Sequence, residues 1–185
     1  RQRGLPPRTP QIRVAAMEWA EFSIALAAFL GSHVIPVRFR APLIARLGKR
    51  GYVAAYSALS LGLLYWLIAA SGRAPYVELW PHEGWMRWLV NLAMPLAVLA
   101  PAVAGMAGLM AGFALWGGAH LLANGDLAHV VLFGLLLSYA GFGLGLALRR
   151  GLTLRRDWWR LALALLLWAA LLHLHPLVIG VSPLP

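Results

Sequence analysis

The amino-acid sequence predicts an all-α protein, a polytopic bundle of about six transmembrane helices. Hydrophobic residues make up 61% of the 185 residues and charged residues only 12%, a composition that a soluble domain of this length cannot bury. The 16 lysines and arginines are clustered between apolar runs, as is typical of loops that orient a membrane protein. We therefore expect a lipid bilayer as partner, and not nucleic acid, despite the net charge of +10.

Six apolar segments have the length of roughly 17 to 25 residues that crosses a hydrocarbon core of about 30 Å. The least clearly separated are the third and fourth, because no charge lies between Leu89 and Ala123. One straight helix of that length would be about 50 Å long, whereas the prolines and glycines between residues 95 and 108 allow a turn. The approximate spans are residues 18–37, 52–70, 85–100, 105–123, 127–148 and 158–179.

The distribution of basic residues supports six spans. Five lysines and arginines lie in residues 38–50 and five more in residues 149–160. Short basic loops belong on the cytoplasmic side, so an even number of crossings must separate these two. Six spans supply four crossings there, while a merged third and fourth span would supply three. Both ends of the chain are then expected outside.

Residues 1–16 contain four arginines, three prolines and no apolar run, which predicts a flexible N-terminal tail. A single transmembrane domain is expected to follow, over residues 17–185. Glu18 and Glu21, directly after the tail, are interpreted as first-turn acids that complement the dipole of the first helix.

Cysteine is absent, which excludes disulfides, thiolate ligands, iron–sulfur clusters and thiol nucleophiles. No two of the six carboxylates lie together deep within a span, so the sequence does not predict the paired general acid and base of a hydrolase. The residues leave open whether the chain is an enzyme, and any activity would depend on a cofactor.

Histidine is the residue type that could hold such a cofactor. His120 is the only ionisable residue in the apolar run 106–123, and an ionisable residue within a membrane indicates a functional site. Two imidazoles on different helices can bind haem b without any covalent motif. His33, in the first span, is a second candidate. His129 and His175 are alternative partners for His120 on the outer side, and the Asn124-Gly125-Asp126 segment is interpreted as a turn.

Three segments carry a resemblance to a known family. One stretch, which runs from GSH through RLGKRGY to YSALSLGLL, resembles the first half of the bacterial membrane proteins of the NnrU family. The family's most specific segment resembles LWGGAHLLANGDLAHVVLFG, and its C-terminus resembles LHPLVIGVSPLP. This resemblance implies a multi-pass protein of the bacterial inner membrane with an accessory or redox role linked to denitrification, the reduction of nitrite and nitric oxide.

The NnrU family is similar in turn to the plant 15-cis-zeta-carotene isomerase, a haem b enzyme. Its haem-ligating histidines fall in segments that resemble GSHVIPVRFR and LWGGAHLLANG, which implies His33 and His120 as the iron ligands. An isomerase cysteine three positions before the second histidine corresponds to Gly117, so thiolate exchange is not available here. Cis-trans isomerisation of a polyene and a haem-free role as an assembly partner are the alternative functions. The partner would be a hydrophobic polyene or a redox protein, and the oligomeric state is left open.

The predicted topology places the two ligands at different depths. Spans one and four run in opposite directions, and His33 and His120 both lie past the midpoints of their spans. Their depths would differ by about 10 to 15 Å, whereas axial ligands of one iron lie about 4 Å apart. Tilt, a first helix broken at Pro36 or a re-entrant fourth segment would reconcile them. We retain the pair because the resemblance is residue-specific.

Overall fold

The computed structural model describes residues 9–34, 36–154 and 157–184. Five helices, each long and apolar enough to cross a membrane, account for most of them, and the described residues form no β-strand. The predicted all-α transmembrane class is therefore confirmed. The helices are α1 (Thr9–Val34), α2 (Pro36–Arg73), α3 (Gly84–Ala123), α4 (Leu127–Arg149) and α5 (Trp158–Val178).

Contacts divide the chain into two compact units, and the single transmembrane domain over residues 17–185 stays a prediction. The first unit, Arg1–Tyr76, holds α1 and α2, which pack against each other. The second unit, Val77–Pro185, holds α3, α4 and α5, and α3 packs against both of the others. Large apolar side chains are widely exposed in both units, as expected of surfaces that face lipid.

Helix α1 begins earlier than the sequence analysis predicts. No proline or glycine interrupts residues 11–30, so the helix extends into the polar segment before the apolar run. Of the predicted flexible tail, residues 1–8 lie outside the described residues, and residues 9–16 belong to α1.

Because α1 starts at Thr9, the interpretation of Glu18 and Glu21 as first-turn acids is wrong. The Glu21 carboxylate instead accepts hydrogen bonds from two residues of α2 in the same unit. Nη2 of Arg73 lies 2.5 Å from Oε1, and the indole Nε1 of Trp66 lies 3.1 Å from the same oxygen. Glu21 thus ties α1 to the end of α2.

Helix α2 contains a break at Gly48, where φ is 69° and ψ is 162°. A side chain rarely adopts this left-handed φ, so glycine suits the position. The 38 residues of α2 would measure about 57 Å if straight, nearly twice the hydrocarbon thickness. Residues 49–73 alone are long enough to cross, at about 37 Å.

Helix α3 is interrupted in the same way at its centre. Its 40 residues carry non-helical dihedral angles at Ala104 (φ −120°, ψ 16°) and at Gly105 (φ 56°, ψ −125°). Pro101 lies just before this break and removes a backbone donor there. The break separates a first arm, residues 84–103, from a second arm, residues 106–123.

The two arms of α3 run antiparallel. Gly108 lies so close to the carbonyl group of Ala100 that a Cβ atom would overlap it, and Gly112 stands in the same relation to Ala97. Residues 97 and 112 would be about 22 Å apart on a straight helix. The chain therefore turns back at residues 104 and 105, and with the two arms of α3 counted separately the five helices contain six apolar helical segments, close to the six predicted spans.

Candidate functional site

His120 lies near the end of the second arm of α3, and its backbone and ring are both fixed. Its Nδ1 lies 2.9 Å from the carbonyl oxygen of Trp116. A carbonyl can only accept, so Nδ1 carries the proton and Nε2 carries the lone pair. The carbonyl of His120 accepts from the backbone N–H of Asn124 at 3.0 Å and from its side-chain amide at 2.8 Å.

Aromatic rings surround this imidazole. The ring centroids of Trp116 and Phe133 lie 5.3 and 5.2 Å from that of His120, and they contact each other at 5.4 Å. Phe113 extends the cluster, 5.1 Å from Trp116. Among the described residues, the carbonyl of Trp116 is the one hydrogen-bond partner of the imidazole ring. The environment is apolar, and Nε2 is the nitrogen that can bind a metal.

His129 is a second oriented imidazole in the same unit. Asp126 caps α4: one carboxylate oxygen accepts from the backbone N–H of His129 at 3.3 Å, and the other accepts from Nδ1 at 2.6 Å. Asp126 is only 8% exposed. The ring of His129 stacks on Phe133, the residue that also contacts His120. Asp126 therefore does more than form a turn.

His33 lies near the end of α1, in the first unit. Its Nδ1 lies 2.8 Å from the carbonyl oxygen of Phe29 and 3.2 Å from the hydroxyl of Ser32. The imidazole thus donates to the carbonyl four residues earlier, as that of His120 does. Its ring contacts Phe29 at 4.6 Å and Tyr56 at 6.0 Å. Because His33 and His120 belong to different units, their pairing on one iron stays a prediction.

A short segment, residues 77–82, covers the turn between α3 and α4, and we call it the turn cover. Two successive backbone N–H groups of the turn cover donate to the carbonyl of Gly125, at 2.7 and 3.1 Å. The indole of Trp80 donates to the carbonyl of Leu122 at 3.0 Å. A Cβ atom on Gly125 would overlap the carbonyl of Trp80, so glycine is required for this close approach.

The remaining histidines bond to carbonyl groups nearby. Nδ1 of His82 donates to Ala123 at 2.9 Å, and that of His173 donates to the residue four positions earlier at 2.8 Å. Nδ1 of His175 donates to the carbonyl of Val181 at 2.7 Å. No three metal-binding side chains come together among the described residues. The site thus offers one or two imidazoles, the number that an iron porphyrin takes as axial ligands.

An open apolar groove of about 380 Å³ lies elsewhere in the second unit. It is lined by both arms of α3 and the end of α4, including Leu96, Gly108 and Leu148. His120 is twelve residues beyond Gly108, about 18 Å further along the second arm. The groove is therefore separate from the imidazole site.

Comparison with protein families identifies the chain. The family described as NnrU protein matches residues 21–183, nearly the whole sequence. The chain belongs to the NnrU family. The NnrU match extends over both units and includes His33, His120 and His129. Comparisons with curated proteins and with solved structures found no match. The predicted family is confirmed, and the helices agree with a multi-pass membrane protein.

Proposed function

We propose that this NnrU protein binds haem b through His33 and His120 and has an accessory or redox role linked to denitrification in the bacterial inner membrane. The observation that carries the proposal is the oriented imidazole of His120 among aromatic rings, and His33 shares its hydrogen-bond pattern. Each donates its Nδ1 proton to the carbonyl of the residue four positions earlier. Metal-ligating histidines almost always donate the other ring N–H in this way, which fixes Nε2 toward the metal.

The side chains around His120 have the apolar, aromatic chemistry that suits a porphyrin. Trp116 and Phe133 contact its ring and Phe113 extends the apolar surface, so aromatic side chains border the half-buried imidazole. When bound, haem b supplies reversible one-electron chemistry at its iron. The protein's own contribution is to orient the imidazole through its Nδ1 hydrogen bond and to border it with apolar side chains. The denitrification role rests on family membership.

His129 is the competing ligand for the position assigned to His33. It contacts Phe133, as His120 does, and Asp126 holds its Nδ1 proton. A haem bound by His120 and His129 would be contained in the second unit. The choice of His33 rests on the residue-specific resemblance, and variants of both residues distinguish the two pairs.

The deciding experiment is an absorption spectrum of the detergent-purified protein, oxidised and then reduced with dithionite. We expect sharp reduced α and β bands that are lost in His33→Ala and His120→Ala and retained in His129→Ala. His173→Ala is the matched control, since its Nδ1 makes the same bond to a carbonyl four residues earlier. Loss in His129→Ala with retention in His33→Ala would assign the pair to the second unit. Absence of a Soret band after haem supplementation would overturn the proposal and favour a haem-free assembly partner.

Activity assays then separate the redox role from polyene isomerisation. The haem-loaded protein is incubated with a cis-polyene under reducing conditions, and the isomers are separated by chromatography. We expect no conversion, and we expect that a host lacking the protein reduces nitrite or nitric oxide more slowly until the wild type, but not His120→Ala, is restored. Conversion of the polyene would instead identify an isomerase.

A further inference from the structure

The first part of α2 exposes an apolar stripe. Phe39, Leu43 and Leu47 are spaced four residues apart, so they lie along one face of the helix. Their exposed fractions are 55%, 37% and 52%, large for apolar residues that follow one another on a single face. We call this part, residues 39–47, the basic arm, because it also carries exposed arginines.

Cations border the stripe on both edges. At 100° per residue, Arg46 lies about 20° outside Phe39, and Arg40 lies about 20° outside Leu47 on the other edge. Lys49 and Arg50 follow directly and are also exposed, and residues 39–50 contain no carboxylate. The ion pairs formed by the described residues involve other cations. The charge of this surface is therefore not neutralised within the described protein.

The break at Gly48 separates the basic arm from the membrane-crossing part of the helix. The left-handed φ of 69° changes the direction of the chain there. Residues 49–73 are long enough to cross without the arm, and charged groups within hydrocarbon are strongly unfavourable. An apolar stripe flanked by arginines has instead the pattern of a helix that lies in the plane of the membrane interface.

We propose that the basic arm lies among lipid headgroups and binds anionic phospholipids, independently of any haem. Arg40 and Arg46 contact the phosphates, while Phe39 and Leu43 enter the upper part of the acyl chains. The apolar stripe between the cations favours a bilayer over nucleic acid, which offers no apolar phase. Each basic side chain near an anionic surface raises the constant for binding anionic lipid by about five-fold. Arg40 and Arg46 together therefore raise that constant by about 25-fold.

The position of the basic arm can be measured by spin labelling, because the natural sequence contains no cysteine that would also be labelled. Leu43→Cys carries a nitroxide in full-length protein reconstituted with phosphatidylcholine and phosphatidylglycerol. We expect the label to be accessible to oxygen and protected from a water-soluble nickel complex. Ala41→Cys, exposed about 160° around the helix from Leu43, is the matched control and should show the opposite pattern. A water-exposed label at Leu43 would overturn the proposal.

The preference for anionic lipid is tested with spin-labelled phosphatidylglycerol and phosphatidylcholine, comparing the immobilised fraction of each around the protein. The double variant Arg40→Gln/Arg46→Gln should lose most of the preference for phosphatidylglycerol, and 1 M salt should weaken the wild-type preference. Arg149→Gln/Arg150→Gln removes the same charge from the exposed end of α4 and is the control. Equal losses in the two double variants would refute a specific role for the basic arm.

Discussion

The contact between the turn cover and Gly125 leads to a prediction for Gly125→Ala. The added methyl group would overlap the carbonyl of Trp80 and lie 2.6 Å from Cδ1 of its indole ring. The carbonyl cannot yield without moving the turn cover, since it belongs to the backbone. We expect residues 79 and 80 of the turn cover to lift from the turn, with loss of the three hydrogen bonds that they donate to it.

The magnitude follows from the bonds that are lost. Two N–H groups donate to the carbonyl of Gly125, and the Trp80 indole donates to Leu122. Each such bond contributes about 1 kcal/mol net, which gives about 3 kcal/mol in total. Replacing glycine by alanine also restricts the unfolded chain, which offsets about 0.4 to 1 kcal/mol of this loss. The free energy of unfolding should therefore fall by about 2 kcal/mol.

The assay is equilibrium unfolding in mixed micelles of dodecyl maltoside and sodium dodecyl sulfate, followed by tryptophan fluorescence. Gly134→Ala in α4 is the matched control, because a Cβ atom there meets nothing within 4 Å. Alanine is the better helix former, so this control should gain up to about 1 kcal/mol. If Gly125→Ala unfolds at the same midpoint as the wild type, the turn cover does not depend on the close approach at Gly125.

Three further predictions concern the hairpin, the capping carboxylate and the topology. Gly112→Ala should lower the free energy of unfolding by about 1 to 3 kcal/mol in the same assay, because its methyl group would overlap the opposite arm; a stability equal to that of the Gly134 control would contradict the hairpin. Asp126→Asn should lower the free energy of unfolding by about 1 to 2 kcal/mol, because it removes the charge-assisted hydrogen bond between the carboxylate and Nδ1 of His129. In a His129→Ala background the same substitution should lower it much less if that bond is the cause. Lys49→Cys and Arg150→Cys should react with an impermeant maleimide from the same side of the membrane, and labelling from opposite sides would exclude six crossings.

The sequence alone locates the crossings because their physical cause is local. Apolar runs of sufficient length must be covered by lipid, and the helices occupy the predicted runs. The turn at Ala104 and Gly105 was also predictable, since Pro101 and the glycines lie where a straight helix would be too long. The start of α1 was not predictable, because polar residues continue a helix when no proline or glycine interrupts it.

The candidate site is less accessible to sequence reasoning because it depends on contacts between distant segments. The isolated position of His120 in an apolar run was visible, whereas the requirement for Gly125 appears only when residues 77–82 pack on it. The signal for Asp126 was available in part: an acid three residues before His129 at a helix start is a capping position. Its second bond, to the ring, required the structure.

Hydrogen bonds hold both the ring and the backbone carbonyl of His120, and this affects the entropy of binding a ligand there. The ring is held by Trp116, and the backbone carbonyl is held by two N–H groups of Asn124. Immobilising a flexible side chain on binding typically costs about 0.5 to 1.5 kcal/mol, and here that entropy is lost when the protein folds. A ligand that bound at Nε2 would therefore meet an imidazole already held in place, with no further side-chain entropy to lose at this residue.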